Sequence, residues 1–399
     1  MRPISRQIVK VAAVVFCLAC FSSLISLQEQ DTWLAESIAM SPDGRLLAVK
    51  YNTGKRDGDE YFSEVWIYNL NDLSSTPRHL AETNQYYTRF SISPDSQHIA
   101  VAEKERLRVI NIEDHSQILD LPYTWPERSV LHHRLSYSPD SRHLMYYRNV
   151  QHYRNDSGAD QGRITIWDIE TGLRDLEIAY RNQDIAGHPW PSPDWRQLLD
   201  RSHSDGLRVY EFNGVQGLGS RIATFPEAAR GTAFSGDNSL FALATLEDEI
   251  HVYRTDTWDL TYVQLLNEYT CGGKFVMLTF DQINPRLACL GNEMLSVWDI
   301  ETGDLLLMDD IDAFFGLFAW DYGILFTDNR RYTGSDGRRI ILWDANNEFA
   351  KTTVPGWYPQ LHPNGELMAA IGPDGSVWLW NIKSKLLLEV LPLPQRRSS

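Results

Sequence analysis

Trp167-Asp-Ile-Glu-Thr-Gly172 and Trp298-Asp-Ile-Glu-Thr-Gly303 are two copies of one six-residue word, and their reading decides the fold. Each closes a short β-like run, Ile164-Thr-Ile-Trp167 and Leu295-Ser-Val-Trp298. Apolar alternation ending in Trp-Asp predicts a half-buried strand, and Glu-Thr-Gly is turn chemistry. Softer copies stand at Leu342-Trp343-Asp344 and Trp378-Leu-Trp-Asn381. A second word, Ser-Pro-Asp followed by an apolar run, begins at Ser41, Ser93, Ser138 and Ser192, with degraded forms at Ser235-Gly-Asp237 and His362-Pro-Asn364. Recurrence at roughly 40–45 residues marks a radial repeat.

With Ser-Pro-Asp as the turn between a first and second strand, the unit can be written eight times. Its anchors are Ser41, Ser93, Ser138, Ser192, Ser235, Asp281, Asp321 and His362. Third strands follow, such as Val65-Trp-Ile-Tyr68, Ile250-His-Val-Tyr253 and Ile340-Ile-Leu-Trp343, then a more polar fourth. No helical periodicity appears after residue 30, so the chain reads as all-β.

These words, in this order and period, resemble the WD-repeat β-propeller family over about residues 35–392. The resemblance implies four-stranded antiparallel blades arranged radially. Eight blades are expected and seven are the alternative, because units six and seven lack a clean Ser-Pro-Asp. Trp167, Asp168, Trp298, Asp299, Trp343 and Asp344 are then structural repeat residues. The family's Gly-His pair survives only at Gly187-His188, so His188 reads as structural and the His-centred bracing network is mostly missing.

Three segments are expected: a signal peptide or membrane anchor over 1–30, a propeller over 31–392, and a disordered tail over 393–399. Arg2, Arg6 and Lys10 precede an apolar run over Val11–Leu27, the pattern of an export signal or signal anchor. Cys20 is a candidate lipidation site, although Cys17 stands where such signals carry Leu. Only Cys271 and Cys289 lie beyond this segment. Export permits a disulfide, but the hairpin reading does not place the two opposite each other, and small buried thiols are expected. The formal charge of −16 argues against a nucleic-acid partner.

Length excess falls on one face, in Asn52–Ser63, Arg148–Arg163 and Thr327–Arg339. Long loops on a rigid scaffold are where binding concentrates. These loops carry Tyr61, Phe62, Tyr153, Arg154, Arg331 and Tyr332. The interblade links on the same face add Tyr86, Tyr87, Trp125, Trp190, Phe314, Phe315, Trp357 and Tyr358. Tyr, Trp and Arg dominate interface hot spots, which points to a protein or peptide partner. The bland alternative is that link aromatics pack between blades.

No nucleophile elbow, zinc-binding His pair, phosphate loop or dinucleotide loop is present in the sequence. His132-His133 would point to opposite faces of a strand, and Asp156/Asp160 lack the closing Glu of a calcium loop. Neither a metal nor a cofactor is expected. The favoured reading is a monomeric, non-catalytic, exported or membrane-tethered interaction scaffold. The rivals are a small-ligand or glycan sensor and a propeller hydrolase with its site at the channel mouth.

Overall fold

The computed structural model describes residues 33–394 apart from 58–59, 84–88, 104–105, 123–128, 153–160, 182–189, 203–205, 214–216, 227–229, 267–270, 272–275, 292–293, 312–314, 322 and 330–337. The N-terminal segment expected to direct export, Cys20 and His188 lie outside the described residues. Among the described residues, no helix is long and apolar enough to cross a membrane.

Thirty-two strands form eight antiparallel sheets, each built from four consecutive strands paired in chain order. The blades span 34–83, 89–122, 129–181, 190–225, 231–265, 276–310, 315–355 and 357–390. Seven of the eight anchors fall between the first and second strands of their blades, and Asp321 ends the first strand of blade 7. First strands of neighbouring blades touch around most of the ring, so they are innermost. Fourth strands are outermost, and in blade 8 every residue of Leu386–Val390 is exposed.

One expectation is corrected. The runs ending in Trp-Asp are not half-buried, because Ile164, Thr165, Ile166 and Trp167 are all buried. Alternate side chains enter two different joints: Ile164 and Ile166 pack toward blade 4, and Trp167 toward blade 2. A strand covered on both faces reads as a near-continuous apolar run, as in Leu47-Ala-Val49 and Phe241-Ala-Leu-Ala244.

Eight hydrophobic clusters join the blades pairwise, one for each neighbouring pair. The joint between blades 8 and 1 is of the same kind, with Trp33, Leu47, Val49, Trp66 and Tyr68 packed on Trp357, Ile371, Val377, Leu379 and Leu391. The ring therefore closes by packing between two complete blades, without a strand exchanged between the ends of the chain. The Ala35 N–H donates to the Gly375 carbonyl at 2.8 Å. The Tyr51 and Tyr68 hydroxyls meet at 2.7 Å, and Tyr68 donates onward to the Pro392 carbonyl at 2.9 Å. Each buried Leu, Ile or Val contributes roughly 1.5–3 kcal/mol, so this joint is comparable with the other seven.

A bulge recurs where the third strand meets the fourth, at Val65/Trp66, Ile166/Trp167, Val297/Trp298 and Leu379/Trp380 among others. Such bulges add twist at a sheet's outer edge. Blade 7 lacks one: there the turn is longer, and Trp343 pairs directly with Lys351.

The cysteines correct a second expectation. Cys271 and Cys289 form a disulfide, with Cα atoms 6.1 Å apart. Hairpin register pairs Cys289 with Leu278. Cys271, between blades 5 and 6 in sequence, packs into the blade 5–6 joint and meets Cys289 from outside that register. Both residues are fully buried.

Candidate functional site

The two faces of the ring differ in how they are built. On the face carrying the second-to-third-strand connections, Asn52–Ser63 and Arg148–Arg163 were expected to be loops, and much of each is strand. In blade 1 the strands Leu46–Asp57 and Glu60–Asn69 run on as a long hairpin, and in blade 3 His143–His152 and Gln161–Asp168 do the same. Their counterparts in blade 5, Leu240–Ala244 and Glu249–Arg254, are much shorter. The blade 1 extension passes an irregularity between Asn52 and Arg56, where the Thr53 hydroxyl donates to the Phe62 carbonyl at 3.0 Å.

The aromatics predicted for this face divide into three groups. Tyr61 and Phe62 lie in the blade 1 hairpin, with Phe62 half-buried. Trp190 and Phe315 begin the first strands of blades 4 and 7. Trp357 is 8% exposed, packed in the blade 8–1 joint with the Arg338 guanidinium 4.1 Å over its ring. Tyr358 is half-buried against the same cluster. For these last two, interblade packing is the observed role. Tyr86, Tyr87, Trp125, Tyr153, Arg154, Phe314, Arg331 and Tyr332 lie outside the described residues, as do Asp156 and Asp160.

The opposite face is a ring of tight turns whose chemistry repeats. In five blades a serine hydroxyl donates to the Asp two residues on: Ser41, Ser93, Ser138, Ser192 and Ser235, at 2.5–2.7 Å. The same carboxylates accept the N–H of Arg45, Gln97, Arg142, Arg196 and Ser239. The residue between adopts φ near +60° at Ser96, Ser141, Trp195 and Asn238, and +75° at Gly44. Neighbouring turns are latched, because Asp43 N–H donates to Ser96 Oγ and Asp95 N–H to Ser141 Oγ. At Asp43 and Asp140 burial opposes the charge, but these hydrogen bonds outweigh it and hold both carboxyls below their usual range.

The Trp-Asp-Ile-Glu-Thr-Gly words also resolve into turns on this face. Asp168 Oδ1 accepts from the Thr171 N–H and hydroxyl, and Asp299 Oδ1 accepts from the Glu301 and Thr302 N–H groups. Gly172 and Gly303 take φ of +68° and +80°. Asp344 caps its turn through the Asn346 N–H. Asp168 also accepts from Arg142 Nε at 2.8 Å. Burial disfavours its charge, yet the Thr171 and Arg142 hydrogen bonds prevail and lower its pKa to about 2.

Two constellations here escaped the sequence reading. His143, Asp168 and Asp175 sit on three adjacent strands of blade 3 with donor atoms within 4.8 Å of one another. His143 Nε2 lies 3.5 Å from Asp175 Oδ2. Asp168 is already committed to Thr171 and Arg142, which weakens the group as a metal cradle. The second is a cleft of about 700 Å³ walled by the turns of blades 4, 5 and 6. Gln197 is among its lining residues and ties blade 4 to blade 5, donating from Nε2 to the Thr255 carbonyl at 3.0 Å, and the Thr255 hydroxyl donates to the Asn238 carbonyl. No signal in the sequence pointed to this cleft, whose walls come from three separate repeats.

No protein-family model matches the chain, and no curated protein matches it in sequence. Solved structures do match in fold. A chain of the crystal structure of the mitotic checkpoint complex superposes with TM-score 0.50 at 15% identity, covering 74% of this chain and 94% of that one. A chain of the crystal structure of the eukaryotic initiation factor superposes with TM-score 0.53 at 12% identity, covering 82% and 93%. Both are WD40-type propellers, and at these identities the likeness is one of fold.

Proposed function

We propose that this chain is an exported, non-catalytic WD-repeat scaffold, tethered at its N-terminus, that binds another protein through the face carrying the long hairpins. The observation that carries this is the extension of the blade 1 and blade 3 hairpins beyond their counterparts on a rigid, closed ring. Export is supported by the buried disulfide, which forms and persists in oxidising compartments, together with the basic and apolar start of the sequence. An interaction role is supported by the absence of catalytic words in the sequence and by a fold neighbour that belongs to a complex.

The test replaces residues 53–62 with Asn-Gly, a two-residue turn suited to joining the paired Asn52 and Ser63. The full chain and this variant are each used to capture partners from the native host's membrane and soluble extracytoplasmic fractions. Loss of a specific partner from a variant that still melts cooperatively supports the reading. An undiminished partner removes the blade 1 hairpin from the interface, and recovery of the chain only in the cytosol defeats export.

A further inference from the structure

Blades 2 and 3 share a longer word than the other repeats, Arg89-Phe-Ser-Ile-Ser-Pro-Asp95 and Arg134-Leu-Ser-Tyr-Ser-Pro-Asp140. Each arginine stands four residues before its anchor serine, on the innermost strand of its blade. The same place holds Ser37 in blade 1, Gly231 in blade 5, Met277 in blade 6 and Tyr358 in blade 8, so the ring does not need arginine there. The two strands touch. Phe90 and Ile92 pack on the blade 1–2 cluster, which turns Arg89 and Ser91 toward blade 3. Leu135 and Tyr137 pack in the blade 2–3 cluster, which turns Arg134 and Ser136 toward blade 4.

Both arginines are exposed, and among the described residues neither guanidinium has an ion pair or a hydrogen bond. Arg134 is accessible yet poorly solvated. The surrounding ring crowds it, and this desolvation alone holds its pKa below the usual arginine value, with no carboxylate acting against it. The acids nearest this arc are already engaged. Lys50 Nζ lies 2.8 Å from Glu36 Oε2, and Asn52 Nδ2 donates to Glu36 Oε1 at 3.0 Å. Arg108 Nε donates to Glu103 Oε1 at 2.8 Å. Burial lowers the pKa of Lys50, Glu36 raises it, and the charge of Arg89 lowers it further. The inner edge of blades 1 to 3 is therefore cationic in a chain of net charge −16.

We propose that Arg89 and Arg134 form a subsite for a carboxylate of a partner polypeptide that enters the ring from the hairpin face. An accessible guanidinium without a counter-ion gains charge-assisted N–H···O bonds from an oxyanion, in place of hydration that crowding has already removed. Ser91 lies two residues beyond Arg89 on the same side, and Ser136 likewise beyond Arg134, its hydroxyl held only by a long 3.5 Å contact to the Tyr137 carbonyl. Both hydroxyls can donate to the remaining lone pairs of the anion. Arg89 opens its strand, and first strands run toward the anchor turns, so it stands at the end nearer the hairpins. At physiological ionic strength charges are screened beyond about 8 Å, so these cations outweigh the distant acidic surface. The subsite names the chemistry of the partner, and rests on the reading given for the hairpin face only for that partner being a polypeptide.

The test titrates a capped Gly-Glu-Glu-Gly peptide into the full chain by calorimetry at about 0.15 M salt, up to millimolar peptide. A Gly-Gln-Gln-Gly peptide and inorganic phosphate serve as comparisons. Saturable one-to-one binding of the Glu peptide is expected, with the Gln peptide at least about tenfold weaker. Arg89→Gln and Arg134→Gln should each weaken binding about tenfold, and the double variant should abolish it. The Tm of Arg134→Gln should stay level or rise, because no contact is lost and an unpaired, desolvated cation is removed, so weaker binding is not a folding defect. Replacing residues 53–62 should leave peptide binding unchanged, which lets the subsite and the hairpin interface fail separately. Absence of saturable binding, equal binding of the Gln peptide, or full binding by the double variant overturns the proposal. Binding of phosphate without the Glu peptide also overturns it, and would make this a site for a free anion only.

Discussion

Reduction of the Cys271–Cys289 bond should destabilise the ring by an amount that can be worked out in advance. The bond closes a loop of 18 residues in sequence. The chain-entropy relation gives about 3 kcal/mol for a loop of that length at 25 °C. Unfolding entropy of about 2.1 cal/mol/K per residue over roughly 360 folded residues converts this to a fall in Tm of roughly 4 °C. The bond joins the blade 5–6 link to the second strand of blade 6, within a joint that also buries Val276, Leu278 and Trp298. Loosening should therefore begin there. The assay is thermal melting with and without reductant, paired with peptide mapping after alkylation under denaturing conditions. Cys271→Ala/Cys289→Ala should reproduce the reduced Tm or fall slightly below it, because two fully buried sulfurs are lost as well. Alkylation of both cysteines without reductant, or coincident melts, would refute the reasoning and leave two buried thiols, as the sequence led one to expect.

Three further outcomes follow from named contacts. Trp357→Ala should cost roughly 3–5 kcal/mol, because the indole sits in the blade 8–1 joint; an unchanged Tm would mean the ring is exposed to partners instead. Lys385 is exposed at φ +60°, in the turn position that Gly172 and Gly303 fill in blades 3 and 6. Lys385→Gly should raise stability or leave it level within about 1 kcal/mol, while Gly303→Ala should lower it, and chemical denaturation separates the two signs. Asp168 has a folded pKa depressed to about 2 against an ordinary value of 3.8. Its contribution is therefore fully present above about pH 4 and is lost as pH falls toward 2, amounting to about 2 kcal/mol. Asp168→Asn should flatten the acid limb of the stability curve over that window, and an identical limb would show that Arg142 and Thr171 do not favour the charged form.

What could be read in advance was whatever the chain writes locally. A Ser-Pro-Asp turn is a closed set of hydrogen bonds within six residues, so Ser41, Ser93 and Ser138 announced their strands on either side. Even the degraded anchors held: Asp281 keeps the turn through the Ile283 N–H and Asn284 Nδ2. What stayed hidden depends on partners far apart in sequence. Ile164-Thr-Ile-Trp167 looks like a one-sided strand until blades 2 and 4 cover both faces. The blade 1 and blade 3 extensions read as loops because their residues do not alternate, yet backbone pairing carries them on as hairpins. Trp357 looked like an interface anchor by residue type, and the ring closure buries it. The cleft walled by Gln197, Asn238 and Glu301 takes its side chains from three repeats, and no single repeat shows it.

The most direct test of the account is photo-crosslinking from position 62 in the native host. A photoreactive residue replaces Phe62 at the blade 1 hairpin, and a second strain carries it at Leu387 on the exposed outer strand of blade 8. Adducts are then identified from extracytoplasmic and membrane fractions. The account predicts a discrete adduct with a second polypeptide from position 62 in those fractions, and none from position 387. A partner captured only from position 387, or no polypeptide adduct from position 62, would contradict it.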